Sequence, residues 1–342
     1  MSLREAIDCA VRGGEVPAEL LTSAFGEIMQ GKGSDAAIAG LLIALRTKGE
    51  TVNELVATAR ALREAAVTAP CLDPHTVDTC GTGGDGASTF NVSTTAAFVV
   101  AGAGVPVAKH GNRAASSKTG SIDVLEALGV AIDLPVAASA RVLSAVGIAP
   151  FFARRAHPAM RFMAPARQEL GVRTLMNCMG PLLNPLGVRH QVIGVYERGL
   201  VAKLAEVLCA LGTHRALVVH GSDGLDEITV YGVTVAAHVR DDRVEALTID
   251  PATLGISAPS PDALRGGDAV ANAEILRAIL AGESGPRRDV VVLNAAAALW
   301  IAERADDLEA GLALARHSLD SGAAQAKLTA LVEASQAQAE SA

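Results

Sequence analysis

The chain has 342 residues, half of them hydrophobic and 19% charged, so it carries enough apolar material for about two globular domains and is not disordered by composition. A net charge of −8 and an aromatic content of 3% argue against a basic nucleic-acid surface and against a platform of base-stacking rings. Mean hydropathy is positive, at +0.33, yet no apolar run approaches the ~20 residues of a membrane span.

The first stretch reads as helices only. Ser2-Leu3-Arg4-Glu5 and Thr51-Val52-Asn53-Glu54 each have the form of a capping box, in which a hydroxyl and a carboxylate satisfy backbone donors at a helix start. Leu20, Leu21, Ala24, Phe25 and Ile28 form an apolar stripe at helical spacing, as do Ile38, Leu41, Leu42 and Leu45. Residues 1–66 are therefore expected to form a small helical domain, and 67–76, with Pro70 and Pro74, a hinge. The segment 77–342 then alternates short apolar runs with helical stretches, the pattern of an α/β domain with a mainly parallel sheet. Strands are expected at Val77–Cys80, Val105–Lys109, Leu217–His220 and Asp289–Leu293. Valines recurring around the acidic turn Asp241-Asp242 suggest a local antiparallel excursion, and the Ala-rich tail reads as helix. The start of the chain carries Glu5 and no continuous apolar stretch, so no signal peptide is expected. Five scattered cysteines without a Cys-x-x-Cys pair disfavour a disulfide framework and a zinc knuckle, and fit a reducing cytoplasm.

Three strand-to-helix connections concentrate the chemistry. Gly81-Thr82-Gly83-Gly84-Asp85-Gly86 precedes Asn91-Val92-Ser93-Thr94, which can open a helix; glycines let a backbone approach a ligand, and helix amides attract phosphate. The spacing is neither the dinucleotide fingerprint nor a Walker A loop, and a tight turn without ligand is the alternative. Lys109 to Ser121 packs cations and hydroxyls into one connection, either a polyanion clamp or an exposed basic loop. Its place at the carboxyl end of a strand favours the clamp. His220 to Glu227 ends in Asp226-Glu227, two adjacent carboxylates suited to a hard cation or to a solvated turn. Further on the chain, Arg167 could pair with a carboxylate in a fork geometry or lie on a helix surface, and Gly180 to Pro185 reads as a rigid turn.

Taken together, Gly81 to Asp85, Asn91 to Thr94, Lys109 to Ser121, His157-Pro158-Ala159-Met160, Gly180 to Pro185, Gly221 to Glu227 and Asn294 to Leu299 resemble, in content and order, the anthranilate phosphoribosyltransferases. The resemblance covers nearly the whole chain. It implies a small α-helical domain hinged to a larger α/β domain, with part of 168–185 packing on the small domain, in a homodimer joined through the small domains. It implies transfer of the phosphoribosyl group of phosphoribosyl pyrophosphate to the amine of anthranilate, with two Mg²⁺ ions per chain, in the cytoplasm and with neither nucleic acid nor membrane as partner.

Residue by residue, the resemblance puts phosphoribosyl pyrophosphate against Gly81, Gly84, Asp85, Thr89, Asn91, Val92, Ser93 and Thr94. It adds Lys109, His110, Gly111, Asn112, Arg113, Ala114, Ala115, Ser116, Ser117 and Ser121 around its phosphates. Ser93 would join one magnesium site, and Asp226 and Glu227 the other. Gly81, Asn112 and Arg167 would bind anthranilate, Arg167 facing its carboxylate. Lys109, His110 and Arg167 are the catalytic candidates, with His110 the nearest base by sequence. One departure stands out: where the family pattern reads Phe-Leu-Phe-Ala-Pro, this chain has Pro150-Phe151-Phe152-Ala153-Arg154. The alternatives are a pyrimidine-nucleoside phosphorylase-like enzyme, which needs base-specific contacts, and a non-catalytic nucleic-acid-binding relative, which needs a basic surface.

Overall fold

The computed structural model describes residues 2–114, 119–260 and 262–341. Four helices come first: α1 (Ser2–Val11), α2 (Ala18–Met29), α3 (Asp35–Lys48) and α4 (Val52–Glu64). Each buries one stripe, such as Leu21, Ala24, Phe25 and Ile28 on α2 and Ile38, Leu41, Leu42 and Leu45 on α3. The capping box at α4 is formed: Thr51 Oγ1 accepts the Glu54 amide, and the Glu54 carboxylate accepts the Thr51 amide. Glu54 also takes the Val16 amide at 2.8 Å and Lys48 Nζ at 2.7 Å, so one buried carboxylate joins three segments of the bundle. The box expected at Ser2 is not the bond made. Ser2 gives its amide and hydroxyl to Glu27 of α2, because the bundle brings a better acceptor across from the neighbouring helix than Glu5 offers along its own.

The α/β part opens with β1 (Val77–Asp78), α5 (Val92–Gly102), β2 (Val107–Gly111), α6 (Ser121–Ala127), α7 (Val136–Val146) and β3 (Ile148–Phe152). The short helices α8 (Ala153–Ala156), α9 (Ala164–Leu170) and α10 (Met176–Met179) follow, then a 3₁₀ turn at Gly180–Leu183. Next come β4 (His190–Gly194), α11 (Leu200–Ala210), β5 (Arg215–Gly221), β6 (Thr234–Arg240) and β7 (Arg243–Ile249). The chain closes with α12 (Ala269–Leu280), α13 (Pro286–Ile301), α14 (Leu308–Asp320) and α15 (Ala323–Glu340).

All seven strands form one sheet in the order β3-β2-β1-β4-β5-β6-β7. The first five strands are parallel, and β6 and β7 form the antiparallel excursion expected from the valine pattern. A helical N-terminal domain with a larger, mainly parallel α/β domain is thus the fold of the chain. Its order places β2 and β3 on one side of β1 and β4 and β5 on the other. The switch at β1/β4 opens a crevice at the carboxyl edge, where ligands of such sheets bind.

The sheet divides two cores. On β5, Leu217 and Val219 face α5 and α13, while Ala216 and Val218 face α11 and, beyond it, the helical bundle. Met163, Ala166, Leu175, Met176, Met179 and Leu182 are buried in the same core as the bundle helices, and Arg63 of α4 donates to Leu182 O at 2.7 Å.

The strand expected at Asp289–Leu293 is instead the first half of α13. Val290 to Leu299 are buried without interruption, so this helix shows no amphipathic period, and a short reading window takes it for a buried strand. Pro286 at its first turn marks the helix start. Conversely, β3 and β4 carry weak strand signals. The first is an edge strand with Pro150 at its centre, and the second begins with His190-Gln191. The expected strands at 77–80 and 105–109 occur shortened to Val77–Asp78 and shifted to Val107–Gly111.

Candidate active site

The Gly-rich loop after β1 lies over the β1/β4 crevice. Gly83 and Gly84 have φ of 67° and 80°, a left-handed turn that a side chain would strain. Thr82 donates its amide to Gly194 O at 2.8 Å and receives the Tyr196 amide on its hydroxyl at 3.1 Å, which anchors the loop to the end of β4. Asp226 Oδ2 accepts the Gly83 amide at 2.6 Å. A Cβ built on Gly194 would lie 1.5 Å from Asp226 O, so the strand end must be bare for the acidic turn to reach the loop.

Glu227 reaches the start of α5, where its Oε1 accepts the Ser93 amide at 3.1 Å. A carboxylate is well placed at a helix N-terminus, where unpaired amides carry partial positive charge. Asn294 of α13 holds the next residue on both sides, accepting the Ile228 amide at 3.0 Å and donating to Ile228 O at 2.9 Å. A narrow pocket between the strand ends is lined by Thr79, Gly81, Ser93, Val192, Gly194, Glu227 and Asn294.

Buried Lys109 underlies this arrangement. Its ammonium donates to Thr79 O at 2.9 Å and to Thr79 Oγ1 at 3.4 Å, and its charge offsets both Asp78 and Glu227. Lys109 thus stands beneath the loop as the internal counter-charge of the carboxylates. Burial pushes Asp78 up to about 6 and Glu227 up to about 7, despite Lys109. Burial, then Glu227 and then Asp85, raises Asp226 well above the usual carboxylate range. Crowded oxygen donors that resist ionising together suit a hard divalent cation, which would relieve their repulsion.

His110 lies one residue further along β2, buried, with Nδ1 3.0 Å from Gly180 O and its ring edge-on to His157 at 5.3 Å. Burial, and then His157, lowers its pKa to about 3. The ring is neutral, donates through Nδ1 to the carbonyl, and is a very weak base. Asn184 completes the attachment of the 180–184 turn, donating to Asp78 Oδ2 and to Ala108 O, both at 2.9 Å.

The remaining candidates divide. Gly111 is buried, and a Cβ there would meet Ser121 Oγ at 2.2 Å, so these two are in close contact. Asn112 is exposed and accepts the Arg113 amide through its own side chain at 2.8 Å. Arg113 is turned toward α6, with Nη1 2.9 Å from Asp123 Oδ1 and 2.7 Å from Glu126 Oε2. Asp123 also takes the amides of Ala114 and Gly120, each at 2.9 Å. Asn91 precedes α5 and is held by Asn272, while Thr89 bridges to Arg265. Val92 and Thr94 are buried, with Val92 in the core, so each would meet a ligand through its backbone. Ala115, Ser116 and Ser117 lie outside the described residues.

Arg167 is exposed on α9 and makes no side-chain hydrogen bond or ion pair among the described residues. Arg154 is exposed on α8, where its charge and that of Arg155 act on Asp133. One arginine had no signal in the sequence: Arg173 donates to Gly84 O, stacks 4.2 Å from the centre of the Tyr196 ring, and receives Arg46 of α3 on its own carbonyl. It links the helical bundle to the Gly-rich loop. Asn294 was visible in the sequence only as part of a motif; its two hydrogen bonds to the Ile228 backbone needed the fold.

Fold and site together define a glycosyl transferase. Family models described as "Glycosyl transferase family, helical bundle domain" and "Glycosyl transferase family, a/b domain" match residues 4–66 and 73–325. The anthranilate phosphoribosyltransferase of Rubrobacter xylanophilus is 52% identical over 97% of this chain and 97% of its own length. That of Azorhizobium caulinodans is 51% identical over 92% and 91%. The crystal structure of anthranilate phosphoribosyltransferase from Thermus thermophilus matches with a TM-score of 0.92 and 42% identity, covering 97% of this chain and 99% of that one. The Saccharomyces cerevisiae enzyme in complex with PRPP and Mg matches with a TM-score of 0.90 and 25% identity, covering 98% of each chain. The chain belongs to the anthranilate phosphoribosyltransferase family. No helix among the described residues is long and apolar enough to cross a membrane.

Proposed function

We propose that this chain transfers the phosphoribosyl group of phosphoribosyl pyrophosphate to the amine of anthranilate, releasing pyrophosphate, as a step of tryptophan biosynthesis. The observation that carries the reading is the pair of anchored carboxylates: Asp226 on the Gly83 amide and Glu227 on the Ser93 amide, at the mouth of the β1/β4 crevice.

Asp226 and Glu227, with Ser93 beside them, would hold Mg²⁺, two ions per chain. Bound there, Mg²⁺ offsets the charge of the departing pyrophosphate. The backbone of Gly81 to Gly84 and the amides opening α5 receive the phosphoribosyl pyrophosphate, with Asp85, Thr89, Asn91 and the 109–121 connection enclosing it. Lys109 stabilises the site from beneath by partly offsetting the charge of Glu227. As the C1–O bond breaks, its electron pair leaves with pyrophosphate and C1 gains oxocarbenium character. The anthranilate nitrogen lone pair then forms the C1–N bond, and the nitrogen gives a proton to solvent or pyrophosphate. A neutral aryl amine is already a nucleophile, so positioning supplies most of the catalysis and no strong base is required. This agrees with a His110 too weakly basic for that task. Arg167, free of acidic partners among the described residues, takes the anthranilate carboxylate, with Gly81 and Asn112 framing the ring. Closure about 67–76 would bring the substrates together and exclude water. The assembly is a cytoplasmic homodimer joined through the helical domains, and a monomer by analytical ultracentrifugation would overturn that part.

The test of the reaction is anthranilate fluorescence followed in time with phosphoribosyl pyrophosphate, with and without Mg²⁺. Loss of signal only with the metal is expected. No loss with folded protein overturns the reading and makes nucleoside phosphorolysis the next assay.

A further inference from the structure

A second polar cluster lies at the opposite edge of the sheet, at the amino ends of the parallel strands. His75 lies just before β1, His190 opens β4, His214 and Arg215 stand at the start of β5, and Glu303 follows α13. Glu303 Oε2 is 3.5 Å from His190 Nε2, 3.6 Å from His214 Nε2 and 3.8 Å from His75 Nδ1. Its other oxygen faces Arg215 Nη1 at 3.4 Å, which aims Oε2 at the imidazoles. His75, His190 and Glu303 each offer a ligand atom, and the three atoms lie within 4.8 Å of one another.

The decisive residue is His190. Its side chain is 3% exposed, yet neither ring nitrogen has a hydrogen-bond partner. A neutral imidazole carries one lone pair and one N–H, and burial normally requires both to be met. Here neither is met by a formed bond, and one nitrogen faces a Glu303 carboxylate oxygen 3.5 Å away, at the outer limit of hydrogen bonding. Tetrahedral zinc with ligand bonds of about 2.0–2.2 Å spaces its donors about 3.4 Å apart, close to the separations around Glu303 Oε2.

We infer that His75, His190 and Glu303 form a binding site for a divalent transition-metal ion of the zinc class, with water as the fourth ligand. Imidazole and carboxylate donors select such an ion over Mg²⁺, which prefers an all-oxygen octahedron. The site is separate from the reaction centre. β4 runs from His190 at one to Gly194 at the other, roughly 13 Å at the strand rise. An ion held there cross-links the end of the 67–76 segment, the first residue of β4 and the turn after α13. Its role is structural, tying the sheet to the segment that joins the two domains.

The test uses full-length, tag-free protein stripped with chelator, in excess Mg²⁺, titrated with Co²⁺ as a visible probe. One equivalent is expected to give the d–d band of four-coordinate Co²⁺, which Zn²⁺ abolishes by displacement, and Zn²⁺ is expected to raise Tm. His75→Gln and Glu303→Gln, both at partly exposed positions that the fold tolerates, should each weaken Co²⁺ binding at least about tenfold and lose the Tm rise, with turnover in Mg²⁺ unchanged. Asp226→Asn should keep the band. Absence of the band in folded wild-type protein, its survival in both first variants, or its loss in Asp226→Asn overturns the proposal. In the first of these outcomes the cluster is an ion-pair group of histidines around Glu303 and no more.

Discussion

Gly194 and Asp226 touch through backbone alone: a Cβ on Gly194 would sit 1.5 Å from the Asp226 carbonyl oxygen. The end of β4 and the acidic turn after β5 are packed as closely as two chains allow, and that closeness brings Asp226 to the Gly-rich loop. Gly194→Ala must therefore push the turn away. The expected cost is about 1–3 kcal/mol of stability, the usual range for overpacking a tight site. A larger fractional loss of turnover should accompany it. Urea unfolding and steady-state kinetics on the same samples check both. Unchanged turnover would show that the turn can move without consequence.

Glu227 joins the helix start of α5 to the proposed metal site through the Ser93 amide. Glu227→Gln keeps an oxygen for that amide and removes the charge. Losing even an outer partner of a metal ligand typically costs 10–100-fold in affinity, so loss of a direct ligand is expected to cost at least about 100-fold in Mg²⁺ activation. The far-ultraviolet circular dichroism should be unchanged. Mg²⁺ titration of initial rates is the measurement, and a wild-type activation curve would remove Glu227 from the metal site.

Arg167 and Arg173 should separate kinetically. Arg167→Ala removes the cation proposed for the anthranilate carboxylate; a charge-assisted bond of about 1.5–3 kcal/mol corresponds to a rise in KM for anthranilate of about tenfold or more. Its KM for phosphoribosyl pyrophosphate should hardly move. Arg173→Ala frees Gly84 and Tyr196 from their shared partner, so it should raise KM for phosphoribosyl pyrophosphate severalfold and leave anthranilate nearly unaffected. Equal effects on both substrates for either variant would contradict these assignments.

His110 makes the fold sensitive to acid. In the unfolded chain its ring protonates near 6.5, and in the folded protein only near 3. Between those values the unfolded state binds more protons, so this group's contribution to stability is complete above about 6.5 and is lost as pH falls toward 3. Asp78 acts in the opposite sense, since its folded carboxyl protonates near 6 against 3.8 unfolded and so favours the fold as pH falls. His110→Asn keeps a donor for Gly180 and removes only the titrating ring. The stability of the variant relative to wild type should thus rise as pH is lowered through that window, as read from urea midpoints. A constant difference between the two proteins would overturn the buried neutral histidine.

Much of the molecule is legible in the sequence. The amphipathic stripes of α2 and α3, the capping box at Thr51 and the Gly-rich connection after β1 are local in the sequence and form where they were expected. The residues that gave false or faint signals are those whose state is decided by surroundings. Val290 to Leu293 is apolar on every side because α13 runs through the centre of the domain. Nothing within such a run distinguishes helix from strand.

The sequence by itself determined the helices of the bundle, the two-part organisation and the residue types at the strand ends, because helix periods, caps and glycine turns are short-range effects. Only the tertiary structure decided which of those residues meet. It gave Asp226 to Gly83 and Glu227 to Ser93, turned Arg113 toward Asp123 and Glu126, and left Arg167 without an acid among the described residues. It also gathered His75, His190 and Glu303 from three distant segments around one point. Strand order and register set those encounters, and they are fixed by the packing of whole faces against each other, which no local stretch of sequence contains.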